Sequence, residues 1–136
     1  MLDQRRAFLK AGAVLGAATV LGGPRPARSA EARAVHLLST YVAGAGYHAA
    51  AHSAAFIRTL QPGANLHLRR EPRHPYDPGA VAVLTASEQM LGYVPGVDSR
   101  ALASLMDAGF ETTASLRSAT DDRPHPDIRL DIGVLL

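Results

Sequence analysis

The alternation of apolar and polar residues is clearest near the C-terminus, where it predicts a half-buried strand. Apolar side chains occupy every second position there, and charged or small residues lie between them; the apolar set is Ile128, Leu130, Ile132 and Val134. Successive side chains of a strand point to opposite faces, so a period of two places one face on a core. Residues 65–70 alternate in the same way, with Leu66 and Leu68 on one face.

Four further segments predict a mainly β fold. Residues 35–42, 80–84, 90–94 and 110–117 are rich in β-forming residues and are bounded by glycine, proline or polar turns. Each is therefore predicted to be a strand. Five or six short strands with one or two short helices favour a small β-barrel of the OB-like or SH3-like type.

Two segments are typical of helices. Residues 49–60 are rich in alanine and stop before a Pro-Gly turn, which predicts a helix followed by that turn. Residues 98–108 present an apolar helical face, with Asp98 or Ser99 as the expected N-cap and Gly109 at a left-handed C-terminal position. These helices would cover part of the sheet.

Two stretches are predicted to be loops. Residues 71–78 contain three prolines, which cannot donate to a strand ladder. Residues 118–127 are polar and lack an apolar period. Glu71 is expected to pair with a neighbouring arginine and thereby to order the first of these loops.

The first 32 residues have the order of a twin-arginine signal peptide. An arginine pair precedes Phe, Leu and Lys in the segment QRRAFLK at 4–10, and thirteen uncharged residues follow at 11–23. That stretch is shorter than the roughly 20 residues needed to span a bilayer. We therefore expect a cleaved leader over residues 1–32, a domain over residues 33–136, and a periplasmic or secreted mature protein without a stable membrane anchor. The alternative is an amphipathic N-terminal helix of a cytoplasmic protein.

The positive charge of the chain is concentrated in this leader. The formal net charge is +2, but only nine of the fourteen basic residues follow residue 32, and they accompany ten acidic residues. Strong binding to phosphates needs clustered cations, so a nearly neutral domain binds nucleic acid tightly only if its arginines lie together. The absence of cysteine excludes disulfides and thiolate metal sites.

Three motifs in the same order resemble the HIRAN domain. The longest is LRREPRHPYDPGAVAV at 68–83, which resembles a strand ending in Arg-Glu-Pro followed by Asn-Pro-Tyr-Asp, with His74 in place of the asparagine. The segments GAGYH at 44–48 and LGYVP at 91–95 resemble an earlier aromatic-containing motif and a later Gly-Tyr-Val-Pro hairpin. The resemblance covers residues 35–136 and implies an OB-like β-barrel of the HIRAN type.

The resemblance also implies a function, because HIRAN domains in eukaryotes capture the 3′ end of single-stranded DNA. By position, Tyr47 and Tyr76 would stack on the terminal bases and Asp77 would accept the free 3′-hydroxyl. Tyr93 of the hairpin is assigned to the same surface. Stacking of a base on an aromatic ring contributes about 1–3 kcal/mol and tolerates any sequence.

Two positions depart from the family pattern, since Gly46 and Gly96 stand where basic residues contact phosphates. Arg69, Arg70 and Arg73 are the candidates to replace those contacts. The alternative function is an exported module that kept the barrel but binds an envelope protein, a glycan or a small ligand.

The loop residues also have a purely structural interpretation. In a tight Pro-Tyr-Asp-Pro loop, Asp77 would bond nearby backbone amides and Tyr76 would pack on the barrel. Either role is compatible with the sequence of the loop.

Catalytic and metal-binding patterns are absent from the sequence. It contains no nucleophile with a base, no complete glycine-rich phosphate loop and no convincing carboxylate pair, so we expect neither catalysis nor a cofactor. His48 and His52 are spaced to share a metal on a helix, but they lack an intervening Glu and an evident third ligand. No metal site is predicted.

Overall fold

The computed structural model describes residues 33–48, 53–121 and 125–136. The predicted leader lies outside these ranges, and so do residues 49–52 of the helix predicted over 49–60. The described strands are β1 (Ala34–Tyr41), β2 (Asn65–Glu71), β3 (Ala80–Thr85), β4 (Met90–Tyr93), β5 (Thr112–Thr120) and β6 (Asp127–Leu135). The two α-helices are α1 (Ala54–Thr59) and α2 (Gly96–Asp107), and a short 3₁₀ turn covers Ala45–Tyr47.

All six strands form one antiparallel sheet in the order β1-β6-β5-β2-β3-β4. Its two edge strands meet just beyond the end of β1. There the amide of Ala43 donates to the carbonyl of Tyr93 at 2.7 Å, and the amide of Tyr93 donates to the carbonyl of Ala43 at 2.9 Å. The mainly β prediction is confirmed, with sheet edges that join at this one point rather than along a full strand.

The core is formed by side chains of the sheet together with Ile57 of α1 and Leu102 of α2. Strand β3 is buried along its whole length, and Leu102 of α2 is completely buried. The alternation predicted for the last strand is confirmed, because Ile128, Leu130 and Ile132 all lie in this core. Removing this apolar area from water is the main stabilising contribution to such a fold.

Helix α2 begins two residues earlier than the sequence predicts. Pro95 occupies the N-cap position, and its carbonyl accepts from the amides of Asp98 and Ser99 at 2.9 and 2.8 Å. The expected cap by Asp98 or Ser99 was therefore wrong. The Asp98 carboxylate instead accepts from the hydroxyl of Thr40 at 2.8 Å, which ties the helix to β1.

The remaining boundary differences also have local causes. Strand β5 extends through residues 118–120, which pair with β6, because backbone pairing does not require an alternation of apolar side chains. Helix α1 begins at Ala54 with Ser53 as its cap, whose hydroxyl accepts from the amide of Phe56 at 3.2 Å. Gly109 adopts the predicted left-handed conformation with φ of 97°. In the part of the chain described, no helix has the length and apolarity needed to cross a membrane.

Candidate functional site

Six aromatic rings, four in a chain of ring contacts and two in a neighbouring pair, are here called the aromatic series; its members are Tyr47, His48, His74, Tyr76, Tyr93 and His125. Ring centroids are 6.0 Å apart for Tyr76 and His74, 5.2 Å for His74 and Tyr93, and 5.8 Å for Tyr93 and His48. Tyr47 follows directly, next to His48 in the chain and 6.2 Å from the ring of His125. The rings are tilted or edge-on to one another, the arrangement that aromatic pairs favour.

The two tyrosines predicted to stack on bases are both largely exposed. Tyr76 is 90% exposed and Tyr47 is 79% exposed. Tyr76 therefore does not pack on the sheet, and the structural interpretation of this residue was wrong. Large aromatic rings left in water at one surface mark a site where a partner covers them.

Tyr93 is half-buried and is fixed by Glu71. Its hydroxyl donates to Oε1 of Glu71 at 2.8 Å, while a guanidinium nitrogen of Arg69 donates to Oε2 at 2.9 Å. Burial alone would raise the pKa of Glu71, but the hydrogen bonds from Arg69 and Tyr93 outweigh it and the pKa is lowered. Burial and the bond to Glu71 together raise the pKa of Tyr93. Glu71 is thus held as a carboxylate and Tyr93 as a neutral phenol.

The proline-containing loop between β2 and β3 is ordered by its own side chains. The amide of Tyr76 donates to Nδ1 of His74 at 3.2 Å, and Oδ1 of Asp77 accepts from the amide of Gly79 at 2.9 Å. The structural role considered for Asp77 is therefore present on one oxygen. Its other oxygen makes no hydrogen bond with a described residue, so it can still accept from a ligand.

Two grooves border the aromatic series. The loop groove, of about 510 Å³, is lined by Tyr93 and by residues 71–75. The Tyr47 groove, of about 300 Å³, is lined by residues 41–47 together with His125 and Pro126. The two grooves share a border, because Ala43 of the Tyr47 groove is hydrogen-bonded through its backbone to Tyr93 of the loop groove.

The three arginines predicted to contact phosphates occupy different environments. Arg70 donates to both carboxylate oxygens of Asp107, at 2.9 and 3.0 Å, and to the carbonyl of Ala80 at 3.1 Å. It fastens β2 to the end of α2 and is not a free cation, contrary to its predicted role. Arg69 is paired with Glu71, whereas Arg73 lines the loop groove and makes no hydrogen bond or ion pair with a described residue.

Sequence reasoning missed the histidines of the series. No spacing along the chain connects His48, His74 and His125, so the sequence does not predict that they lie beside the tyrosines. One sequence feature pointed to them, namely His74 in the place of the motif asparagine. Among the described residues no group of three or more His, Asp or Glu side chains could hold a metal ion, and His52 lies outside them.

Comparison with known proteins agrees with this architecture. A structure of a protein from Lactobacillus plantarum is 27% identical, with a TM-score of 0.67 over 76% of this chain and 97% of that one. The crystal structure of the HIRAN domain of human HLTF is 19% identical, with a TM-score of 0.60 over 72% of this chain and 74% of that one. The HLTF HIRAN domain in its DNA-bound conformation gives 18% identity and a TM-score of 0.57, over 78% of this chain and 80% of that one.

Sequence comparison points the same way. A Fanconi-associated nuclease 1 homolog of Oryza sativa subsp. japonica is 47% identical over 51 residues, which are 35% of this chain but only 5% of that protein. The sequence model of the HIRAN domain matches residues 35–134, most of the chain and all six strands. The chain therefore belongs to the HIRAN domain family.

Proposed function

We propose that this domain is a non-catalytic module that binds the end of a single-stranded nucleic acid through the aromatic series. The observation that carries the proposal is the exposure of Tyr76 and Tyr47 at 90% and 79%, each in ring contact with a histidine that lines one of the two grooves. Bases stack on such rings regardless of sequence. A HIRAN domain of the same fold has been solved in a DNA-bound conformation, which supports the same ligand class here.

The charges beside the loop groove favour a strand end over a strand interior. The Glu71 carboxylate lines the groove, and the unpaired oxygen of Asp77 lies in the same loop. Carboxylates repel phosphate groups but accept hydrogen bonds from hydroxyl groups. A terminal nucleotide with a free 3′-hydroxyl therefore fits this surface better than an internal nucleotide or a 3′-phosphate.

Replacement of Tyr76 by alanine tests the stacking. Loss of one stacked base, about 1–3 kcal/mol, should weaken binding of a short single-stranded oligonucleotide by about 5- to 150-fold. The measurement is a titration of the full chain at low salt, followed by fluorescence anisotropy. Phe110→Ala is the matched control, because Phe110 is 45% exposed but lines neither groove. Equal affinity of Tyr76→Ala and the unmodified protein would refute the interface.

Comparison of 3′-hydroxyl and 3′-phosphate oligonucleotides tests the end preference. The 3′-hydroxyl strand should bind more tightly, and Asp77→Asn should reduce the difference between the two strands. Since Arg73 is the one arginine among the described residues that line the loop groove, the logarithm of affinity should fall with the logarithm of salt with a slope of only about −1. Equal affinities would remove the hydroxyl contact from the proposal, and a slope steeper than about −3 would place the strand on another surface.

A further inference from the structure

His125 forms one wall of the Tyr47 groove although it lies far along the chain from Tyr47. It belongs to the segment between β5 and β6, and its ring lies 6.2 Å from that of Tyr47 with 38° between their planes. The Tyr47 ring is largely exposed, so the pair borders the groove without filling it.

The absence of a side chain at Gly46 makes room for the imidazole of His125. A Cβ atom at position 46 would lie 2.6 Å from Nδ1 of His125 and 3.4 Å from its Cε1. Gly46 is not among the glycines with positive φ, so its backbone conformation does not require glycine. The glycine is therefore needed for space, and any side chain there displaces His125.

This packing places the Nδ1 edge of the His125 ring against Gly46. The ring atoms nearest to Gly46 are Nδ1, Cε1 and Cγ, which leaves Nε2 on the far side of the ring. His125 makes no hydrogen bond with another described residue. Among the described residues that line the Tyr47 groove, His125 has the one side chain that can carry a positive charge.

Building on the proposed function, we propose that His125 is a ligand-contacting residue, whose Nε2–H donates to a phosphate near the strand end while Tyr47 stacks on the adjoining base. An apolar, phenol-lined groove suits a base but offers nothing for the anionic linkage that follows it. An imidazole N–H supplies that contact, and its strength increases when the ring is protonated. Gly46 thus has no side chain to offer a ligand, and the imidazole of His125 from another loop occupies the space beside it.

A double-mutant cycle tests the dependence of His125 on Gly46. His125→Ala and Gly46→Ala should each weaken oligonucleotide binding by the full chain about 5- to 10-fold, the first by removing the imidazole and the second by displacing it. The double variant should bind no more weakly than His125→Ala, because the two changes remove the same contact. Additive losses would show that Gly46 acts independently of His125.

Strands carrying one uncharged methylphosphonate test the phosphate contact without altering the protein fold. The substitution is placed in turn at each of the last three linkages before a free 3′-hydroxyl. At one linkage it should weaken binding by the unmodified protein but not by His125→Ala. Equal losses for both proteins at every linkage would overturn the contact.

The controls separate this inference from the proposed function. His67→Ala removes an exposed imidazole that lies 3.8 Å from Glu88 and lines neither groove, so it should bind like the unmodified protein. Binding that is lost in Tyr76→Ala but unchanged in His125→Ala would refute the inference alone. Absence of any binding by the unmodified protein at low salt would refute both.

Discussion

At the scale of single residues, the orientation of Tyr93 depends on Glu71. Tyr93 lies in the middle of the aromatic series, and its hydroxyl reaches Glu71 across the intervening strand β3. Arg69 holds the other carboxylate oxygen. One ionised side chain therefore fixes a ring of the interface and stabilises the sheet.

Glu71→Gln should destabilise the folded protein by about 1–2 kcal/mol at pH 7, since the amide loses charge-assisted hydrogen bonds. The pKa of Glu71 is lowered on folding despite burial, because Arg69 and Tyr93 donate to its carboxylate. Its contribution to stability is therefore complete above the ordinary glutamate pKa and is lost as the pH falls through the lower folded value. Urea unfolding between pH 7 and pH 3 should show the two proteins converging in acid.

This test has one control variant and one expected background effect. Glu88→Gln alters a largely exposed carboxylate near His67 and should change the free energy of unfolding by less than about 0.5 kcal/mol. Hydrogen bonds from Ser39 and Arg117 also lower the pKa of Asp131. The unmodified protein and Glu71→Gln should therefore both still lose some stability in acid. A constant difference between Glu71→Gln and the unmodified protein at every pH would contradict the assignment.

At the scale of elements, the junction of β1 and β4 depends on Gly92. This residue has φ of 152°, and a Cβ atom there would lie 2.5 Å from the carbonyl oxygen of Ala43 and 2.5 Å from Cγ1 of Val42. The close approach permits the paired hydrogen bonds between Ala43 and Tyr93. The same junction brings the two grooves together.

Gly92→Ala should destabilise the fold by about 2–4 kcal/mol, because the methyl group meets backbone atoms that cannot move aside. The expected change is a fall in Tm of roughly 10 °C or more, measured by circular dichroism. Gly96→Ala is the matched control, since no heavy atom lies within 4 Å of its Cβ position. Equal Tm values for the two variants would show that the junction tolerates a side chain.

The sequence predicted strands where burial of one face imposes an alternation of apolar and polar residues, but it did not predict where the strands end. Alternation defined β6 because one face of it is in the core. The same criterion missed the last three residues of β5, whose pairing with β6 is a backbone property. Pro95 and Gly96 were predicted to end the strand at 90–94, which they follow, but Pro95 is also the N-cap of α2.

The candidate site was predictable only as far as its motifs extend. The motifs located Tyr47 and Tyr76, and the structure adds the ring contacts of Tyr76 with His74 and of Tyr47 with His125. The sequence does not distinguish the roles of Arg70 and Arg73. In the structure Arg70 is paired with Asp107, whereas Arg73 lines the loop groove. The contact of His125 with Gly46 joins distant segments, and no local pattern encodes it.

At the scale of the whole molecule, the domain is poorly suited to non-specific binding of phosphates. The nine arginines after residue 32 accompany ten acidic residues. Arg69, Arg70, Arg117 and Arg129 are each paired with a carboxylate. Under the proposed function, affinity would therefore come mainly from stacked bases and from the strand end, which favours a ligand with unpaired, accessible bases.

We propose that residues 1–32 export the domain by the twin-arginine route. Such a route carries folded proteins, and a domain without cysteine completes its fold without oxidation. Replacing both Arg5 and Arg6 by lysine keeps the net charge at +2 but removes the arginine pair that the route recognises.

The double Arg5→Lys, Arg6→Lys variant should remain in the cytoplasm of a bacterial host at its full length, whereas the unmodified chain should be recovered from the periplasm shortened near residue 32. Cell fractionation with mass spectrometry of the N-terminus distinguishes these outcomes. Arg25→Lys is the control, because it makes the same exchange outside the motif and should not impair export. A shortened periplasmic product from the double variant would contradict the proposed route, and an unshortened cytoplasmic product from the unmodified chain would favour the N-terminal helix instead.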